Sequence, residues 1–232
     1  MSAIPIVALD VADAEAARAL VRLLGDTCNF YKVGLELFSA EGPSMVRWLR
    51  DEGKEVFVDL KLHDIPSTVH RAARSVARLG ASLLTVHASG GEEMVRAAVN
   101  GANDETGTGT FCGVLGVTVL TSFDADTLRQ AWGRDDALEV ETEVRRLAAI
   151  VANAGGAGVV CSGHEAAAVH GVFGARLGVL VPGIRLGGGD GHDQRRIMTP
   201  AAAAAAGASW IILGRAVTAA ADPVAAMRRA TE

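Results

Sequence analysis

The sequence predicts an α/β protein, and more narrowly a (β/α)8 barrel folded as one domain over residues 1–232. Short apolar, β-rich runs alternate with longer stretches of helical period, the pattern of βαβ units on a parallel sheet. Eight such runs can be counted, and 232 residues shared among eight units is about 29 each, close to the ~30 residues of one βα repeat. An open, doubly wound sheet is the alternative that the same alternation allows.

The first run, Ile4–Leu9, is apolar until Asp10 breaks it, and a helix over Asp13–Leu24 follows. Phe30–Leu35 is the second and Glu55–Leu60 the third, the latter leading through Pro66 into a helix over Ile65–Leu79. Ser82–His87 and Gly113–Leu120 are the fourth and fifth; Gly158–Cys161, Leu177–Val181 and Ser209–Leu213 complete the set. The eighth run is reached through clear punctuation, with Thr199 as N-cap, Pro200 at the first helical position, alanines 201–206, and Gly207 just past the helix end. Between the seventh run and that helix, Leu186–Asp193 reads LGGGDGHD, with four glycines in eight residues. Such loops in compact domains are usually functional or mobile, an exposed linker being the plain alternative.

Composition narrows the function. The formal net charge is −5, from 22 Lys and Arg against 27 Asp and Glu, and only 10 residues are aromatic. Neither the basic footprint nor the stacking platforms of a nucleic-acid binder are present, so an anionic ligand must be met by a local cluster of cations. Cys28, Cys112 and Cys161 lie far apart without a CxxC pair, which suggests neither a disulfide framework nor a zinc knuckle and makes a reducing cytoplasm the expected location. The first residues lack the basic region of a signal peptide, and no apolar run reaches the ~18–20 residues of a membrane span.

The informative segment is Glu55-Val56-Phe57-Val58-Asp59-Leu60-Lys61-Leu62-His63-Asp64. Strand side chains alternate, so Phe57, Asp59 and Lys61 share one face while Val58, Leu60 and Leu62 share the other. In a parallel barrel the apolar face packs under helices, which places Asp59 and Lys61 inside, at the end of the strand where barrel enzymes keep their catalytic residues. A structural ion pair is the bland reading of two such charges, but buried pairs often fail to recover their desolvation cost, which favours a functional role. Asp64 follows in the loop, either as part of the charge cluster or as an N-cap of the next helix. Parity also brings Asp10 to the end of the first strand and Lys32 inside on the second, so that Lys32, Asp59, Lys61 and Asp64 could form a nearly neutral network.

Two further loops point to a phosphorylated ligand. Val181-Pro182-Gly183-Ile184-Arg185 ends the seventh strand and Leu213-Gly214-Arg215-Ala216 the eighth, the loops that form the usual phosphate site of such barrels. Gly214 allows close backbone approach, a short helix opening at Ala216 and Val217 would present free N–H groups, and Arg215 can grip phosphate oxygens in a bidentate manner. Either arginine alone would read as a surface residue; both, beside the glycine-rich loop, favour a phosphate.

The combination Asp59-x-Lys61-x-x-Asp64-Ile65-Pro66, with Ala8-Leu9-Asp10 and Tyr31-Lys32-Val33-Gly34 upstream and Pro182-Gly183-Ile184-Arg185, Asp193-Gln194 and Gly214-Arg215 downstream, resembles the orotidine 5′-phosphate decarboxylases in their compact bacterial form. The resemblance spans nearly the whole chain. It implies conversion of orotidine 5′-monophosphate to UMP, without cofactor or metal, in a homodimer. It also implies roles: Lys61 protonates C6 as carbon dioxide leaves, Asp59 lies beside the departing carboxylate, Lys32 orients Asp59 and the ribose, and Asp10 holds a ribose hydroxyl. Asp64, Ile65 and Thr68 would serve the neighbouring subunit's site. Thr121 would contact the base, Pro182 would lie near the pyrimidine, Gln194 would bridge base and phosphate, and Arg185, Gly214 and Arg215 would hold the phosphate.

Competing readings carry their own signatures. The metal-dependent sister group, the 3-keto-gulonate-phosphate decarboxylases and hexulose-phosphate synthases, shares DxKxxD but has a glutamate for magnesium on the second strand, where Lys32 here would repel a cation. A metal-dependent epimerase is weaker still, because His63, His87 and His192 show no ligand arrangement with the carboxylates. His87, on the inner face of the fourth strand with Leu83 and Thr85, reads as a hydrogen-bonded core histidine. A silent phosphate-binding or purely structural barrel would have no need of the buried Lys and Asp pairs.

Overall fold

In the computed structural model, eight parallel strands close into a ring in which each is hydrogen-bonded to its sequence neighbours and the eighth returns to the first. The structure describes residues 2–104, 111–133, 139–186 and 198–231. The strands are β1 (Ile4–Ala8), β2 (Phe30–Gly34), β3 (Glu55–Leu62), β4 (Leu83–His87), β5 (Gly113–Val117), β6 (Gly158–Val160), β7 (Gly178–Val181) and β8 (Trp210–Leu213). The described helices, in chain order, are α1 (Ala14–Leu24), α2 (Leu35–Glu41), α3 (Pro43–Asp51), α4 (Pro66–Ala77), α5 (Gly91–Asn103), α6 (Ala125–Trp132), α7 (Val140–Asn153), α8 (Gly163–Phe173), α9 (Pro200–Ala205), α10 (Arg215–Thr218) and α11 (Pro223–Thr231). Closure excludes the open doubly wound sheet.

Strand periodicity divides the apolar residues into two cores. Ile6, Ala8, Phe30, Phe57, Leu83, Leu115, Leu180 and Ile212 point inward and fill the barrel, with Val160 and Trp210 packed against them. Val7, Tyr31, Val33, Val56, Val58, Leu84, Val86, Val114, Val159, Val179 and Ile211 point outward beneath the helices. Each fully buried Val, Leu, Ile or Phe contributes about 1.5–3 kcal/mol, so both layers favour one register, and a slip of a single residue would exchange them.

The ends of elements differ from the sequence reading in ways local chemistry explains. Asp13 caps α1, its carboxylate accepting the Ala16 N–H at 2.9 Å. The second strand stops at Gly34 because Leu35 already opens α2, and β5 stops at Val117 rather than Leu120. The third strand runs two residues past Leu60. Thr199 caps α9 by accepting the Ala202 N–H at 3.1 Å, and Gly207 follows at φ 87°, where a Cβ would come within 2.3 Å of the His170 ring. The alanine run is therefore a capped helix.

Candidate active site

The inner face of β3 carries Phe57 into the apolar plug and then, toward the carboxyl end, Asp59 and Lys61. Asp59 is only 9% exposed, yet its carboxylate is fully engaged. Its Oδ1 accepts from Lys61 Nζ at 2.8 Å and from the Thr85 hydroxyl at 2.9 Å, while Oδ2 lies 3.7 Å from Lys32 Nζ. Lys32, 8% exposed, also donates to Asp10 Oδ1 at 2.8 Å. The four groups thus form a continuous series, Asp10–Lys32–Asp59–Lys61, with two charges of each sign. It begins at the exposed Asp10, runs through the buried centre and reopens at the half-buried Lys61.

Gly34 makes this series possible. It stands in register with Asp59, and a Cβ there would lie 2.8 Å from Lys32 Nζ and 3.4 Å from Asp10 Oδ1. Any side chain would displace the ammonium from its carboxylates. Lys54, at the opposite end of β3, is a useful contrast: its buried ammonium is satisfied by the Gly25 and Cys28 carbonyls at 2.8 and 3.2 Å and by Asn29 Oδ1 at 3.1 Å. Neutral oxygens suffice for a structural lysine. Lys32 and Lys61 instead share a carboxylate, which aligns them.

Simple alternation fails at one point. The β3–β4 ladder slips between Val58, paired with Leu84, and Leu62, paired with Val86. Lys61 within that bulge has φ 51°, which places it, alone among the described non-glycine residues, in the left-handed region. A lysine there is strained, and the strain is held by its neighbours. The Lys61 N–H donates to the Thr85 hydroxyl at 2.9 Å. Bulges beside active sites commonly re-aim a side chain. The sequence reading placed Thr85 and His87 on the inner face of β4 but assigned no site role to Thr85; the signal available was its parity, a hydroxyl facing two charged neighbours.

His87 ends β4 with its ring centroid 5.5 Å from that of His63. Burial, then the proximity of His63 and of Lys61, holds the His87 imidazole below its ordinary pKa, with Asp59 opposing more weakly. Among the described residues, no group of three or more His, Cys, Asp or Glu side chains is arranged to hold a metal ion.

Asp64 does not join the network within one chain. It is exposed, and its Oδ1 accepts the N–H of Ile65 at 2.6 Å. It is not the helix cap either, because Ile65 occupies the N-cap position of α4. Ile65 is 64% exposed, and Thr68 lies half-buried in the first turn of α4. Thr121 is exposed, four residues past the end of β5. Pro182 and Arg185 are half-buried after β7; Gly183 turns the chain at φ 74°, and the Arg185 N–H donates to the Met198 carbonyl at 3.0 Å. Gly214 is the N-cap of α10, and Arg215, its first residue, is exposed. Gln194 and residues 187–193 lie outside the described residues. Because β7, β8, β1, β2 and β3 are consecutive around the ring, the loops bearing Arg185 and Arg215 end on the same stretch of rim as the ion-pair series.

A closed (β/α)8 barrel with a satisfied run of alternating charges at the carboxyl ends of its strands defines an enzyme of the barrel class. The chain belongs to the orotidine 5′-phosphate decarboxylase / HUMPS family, whose profile matches residues 4–230. It is 46% identical over 225 residues to an orotidine 5′-phosphate decarboxylase of Moorella thermoacetica, covering 96% of this chain and 88% of that one. It is 49% identical over 225 residues to the enzyme of the same name from Anaeromyxobacter dehalogenans, covering 95% and 93% of the two chains. The crystal structure of orotidine 5′-phosphate decarboxylase from Lactobacillus acidophilus superposes with a TM-score of 0.87 at 36% identity, covering 99% of this chain and 97% of that one.

Proposed function

We propose that this chain decarboxylates orotidine 5′-monophosphate to UMP and carbon dioxide, the last step of UMP synthesis, as a single-domain cytoplasmic homodimer needing neither metal nor cofactor. The observation that carries the reading is the Asp10–Lys32–Asp59–Lys61 series, in which Lys61 Nζ and Lys32 Nζ both address the Asp59 carboxylate. The family to which the chain belongs, matched over residues 4–230, supports the same reaction.

In this mechanism the C6–carboxylate bond breaks, its electron pair stays on C6, and a proton passes from Lys61 Nζ to that carbon. Lysine then recovers a proton from solvent. The carbanion has little delocalisation, so catalysis must supply up to ~23 kcal/mol. Asp59 at ~4 Å from the substrate carboxylate would contribute a repulsion of only about 4 kcal/mol at an effective dielectric of 20. Repulsion is too small to carry the rate. The larger share falls to the preorganised Lys61 charge, already aimed by its bond to Asp59, in a site that bound substrate would close to water. Asp10 and Lys32 would hold the ribose, Thr121 and Pro182 the base, and Arg185, Gln194, Gly214 and Arg215 the phosphate, whose remote binding energy would tighten the site.

Asp64, Ile65 and Thr68 would complete the site of the neighbouring subunit. The exposure of Asp64 and of the apolar Ile65 in one chain favours this. Lys32 supports a metal-free reaction, because its ammonium occupies the space between the two carboxylates that a cation would need. In EDTA the purified protein should consume orotidine 5′-monophosphate with loss of its ultraviolet absorbance. Unchanged substrate would reject the assignment, and a strict magnesium requirement would move the chain to the sugar-phosphate branch.

A further inference from the structure

We infer that Thr85 is a positioning residue for the reaction proposed above, and the inference rests on that reading. Its side chain is wholly buried, 0% exposed, on the inner face of β4. Its hydroxyl makes two bonds of 2.9 Å, donating to Asp59 Oδ1 and accepting from the Lys61 N–H. The polarity is forced: an amide only donates and an ionised carboxylate only accepts, so a group bridging them must do both, which a hydroxyl can. The same Asp59 Oδ1 also receives Lys61 Nζ, at 2.8 Å. Thr85 therefore ties the backbone of Lys61 and the carboxylate that aims its ammonium to one atom.

The location gives the bond its purpose. Strand β3 departs from the β4 ladder between Val58 and Leu62, opposite the stretch from Leu84 to Val86 that contains Thr85. There Lys61 takes a left-handed φ of 51°. The Lys61 N–H is bonded to a side chain at a place where the regular ladder is interrupted, so the hydroxyl substitutes for the missing strand partner. Remove it, and a part-buried amide loses its acceptor just where the backbone is strained. Lys61 and Asp59 would then sample other geometries while the rest of the barrel stayed folded.

A purely space-filling threonine makes a different forecast from a positioning one. Thr85→Val keeps the shape and removes the hydroxyl; Thr85→Ser keeps the hydroxyl and removes a methyl. Misplacement of a reacting group by about 1 Å costs on the order of 100-fold in rate. Accordingly, Thr85→Val should lower kcat about 10–100-fold with KM changed less than about 3-fold, and Thr85→Ser should hold kcat within about 3-fold of the parent. UMP binding, measured by calorimetry, should be similar in all three proteins.

The serine variant keeps the test decisive if the valine variant does not fold. A Thr85→Ser variant that loses about 10-fold or more in kcat would show that the hydroxyl is not what matters and overturn the inference. Equal loss in kcat and rise in KM for valine would do the same, because it would mark general damage. If the parent decarboxylates and Thr85→Val matches it, this inference falls and the proposed function stands. If the parent itself leaves orotidine 5′-monophosphate untouched, the functional reading falls and takes the inference with it.

Discussion

Lys61 concentrates the chemistry into one residue: a left-handed backbone, a 2.8 Å bond to Asp59 and a half-open position at the barrel mouth. Lys61→Ala should abolish turnover yet still bind UMP, since the phosphate and base contacts proposed above fall on other residues; single-turnover kinetics and calorimetry read the two properties separately. Substantial residual turnover would remove Lys61 from the acid role. His87 bears on stability. Its pKa is held below 6.5, chiefly by burial and then by His63 and Lys61, against the weaker pull of Asp59. The unfolded chain therefore takes up a proton near pH 6.5 that the folded chain resists, and stability falls on acidification below that value and is unaffected above it. In His87→Gln, the urea midpoint should lose less between pH 7 and pH 5 than in the parent. Parallel pH dependences would exclude His87 as a source of acid sensitivity.

Elements here are placed by what they cannot accommodate. Helices α4 and α5 approach so closely that a Cβ on Gly101 would sit 2.1 Å from the His70 carbonyl oxygen, a backbone atom that cannot swing aside. Gly101→Ala should destabilise the protein by about 1–3 kcal/mol, seen as a lower urea midpoint, despite the better helix propensity of alanine. A neutral or stabilising effect would show that the helix pair can part. The bulge in β3 is the same lesson in a strand. Alternation correctly sorted Phe57, Val58 and Asp59 between the two faces, but the slip before Leu62 depends on hydrogen bonds from β4, which no count of residues along β3 reveals.

At the scale of the whole molecule, ring closure brings together charges that are far apart in sequence. Asp10, Lys32, Asp59 and Lys61 come from the ends of β1, β2 and β3, which are neighbours in the barrel, and the Arg185 and Arg215 loops follow β7 and β8 beside them. The surplus of carboxylates behind a net charge of −5 is thus no obstacle to an anionic substrate, because the local cluster rather than the total sets the field. The isolated subunit leaves Asp64 outside that cluster. If it belongs to a neighbour's site, mixing inactive Lys61→Ala and Asp64→Ala chains should restore partial activity through mixed dimers carrying one site intact at both positions. No recovery after subunit exchange would confine Asp64 to its own loop.

Eight strands, their inward and outward faces, the capped alanine helix and the inward placement of Lys32 and Asp59 were legible in the chain, because each depends on periodicity or local hydrogen bonding over a few residues. Tertiary structure decided what depends on neighbours distant in sequence: that the sheet closes, that Asp59 is shared by two lysines, that Asp64 stands apart from them, and that the Thr85 hydroxyl holds Lys61 in a conformation its own strand would not choose. Local propensities set the faces of a strand. Where a strand leaves its ladder is set by the partner across from it, and the charge at the centre of this barrel is aimed from there.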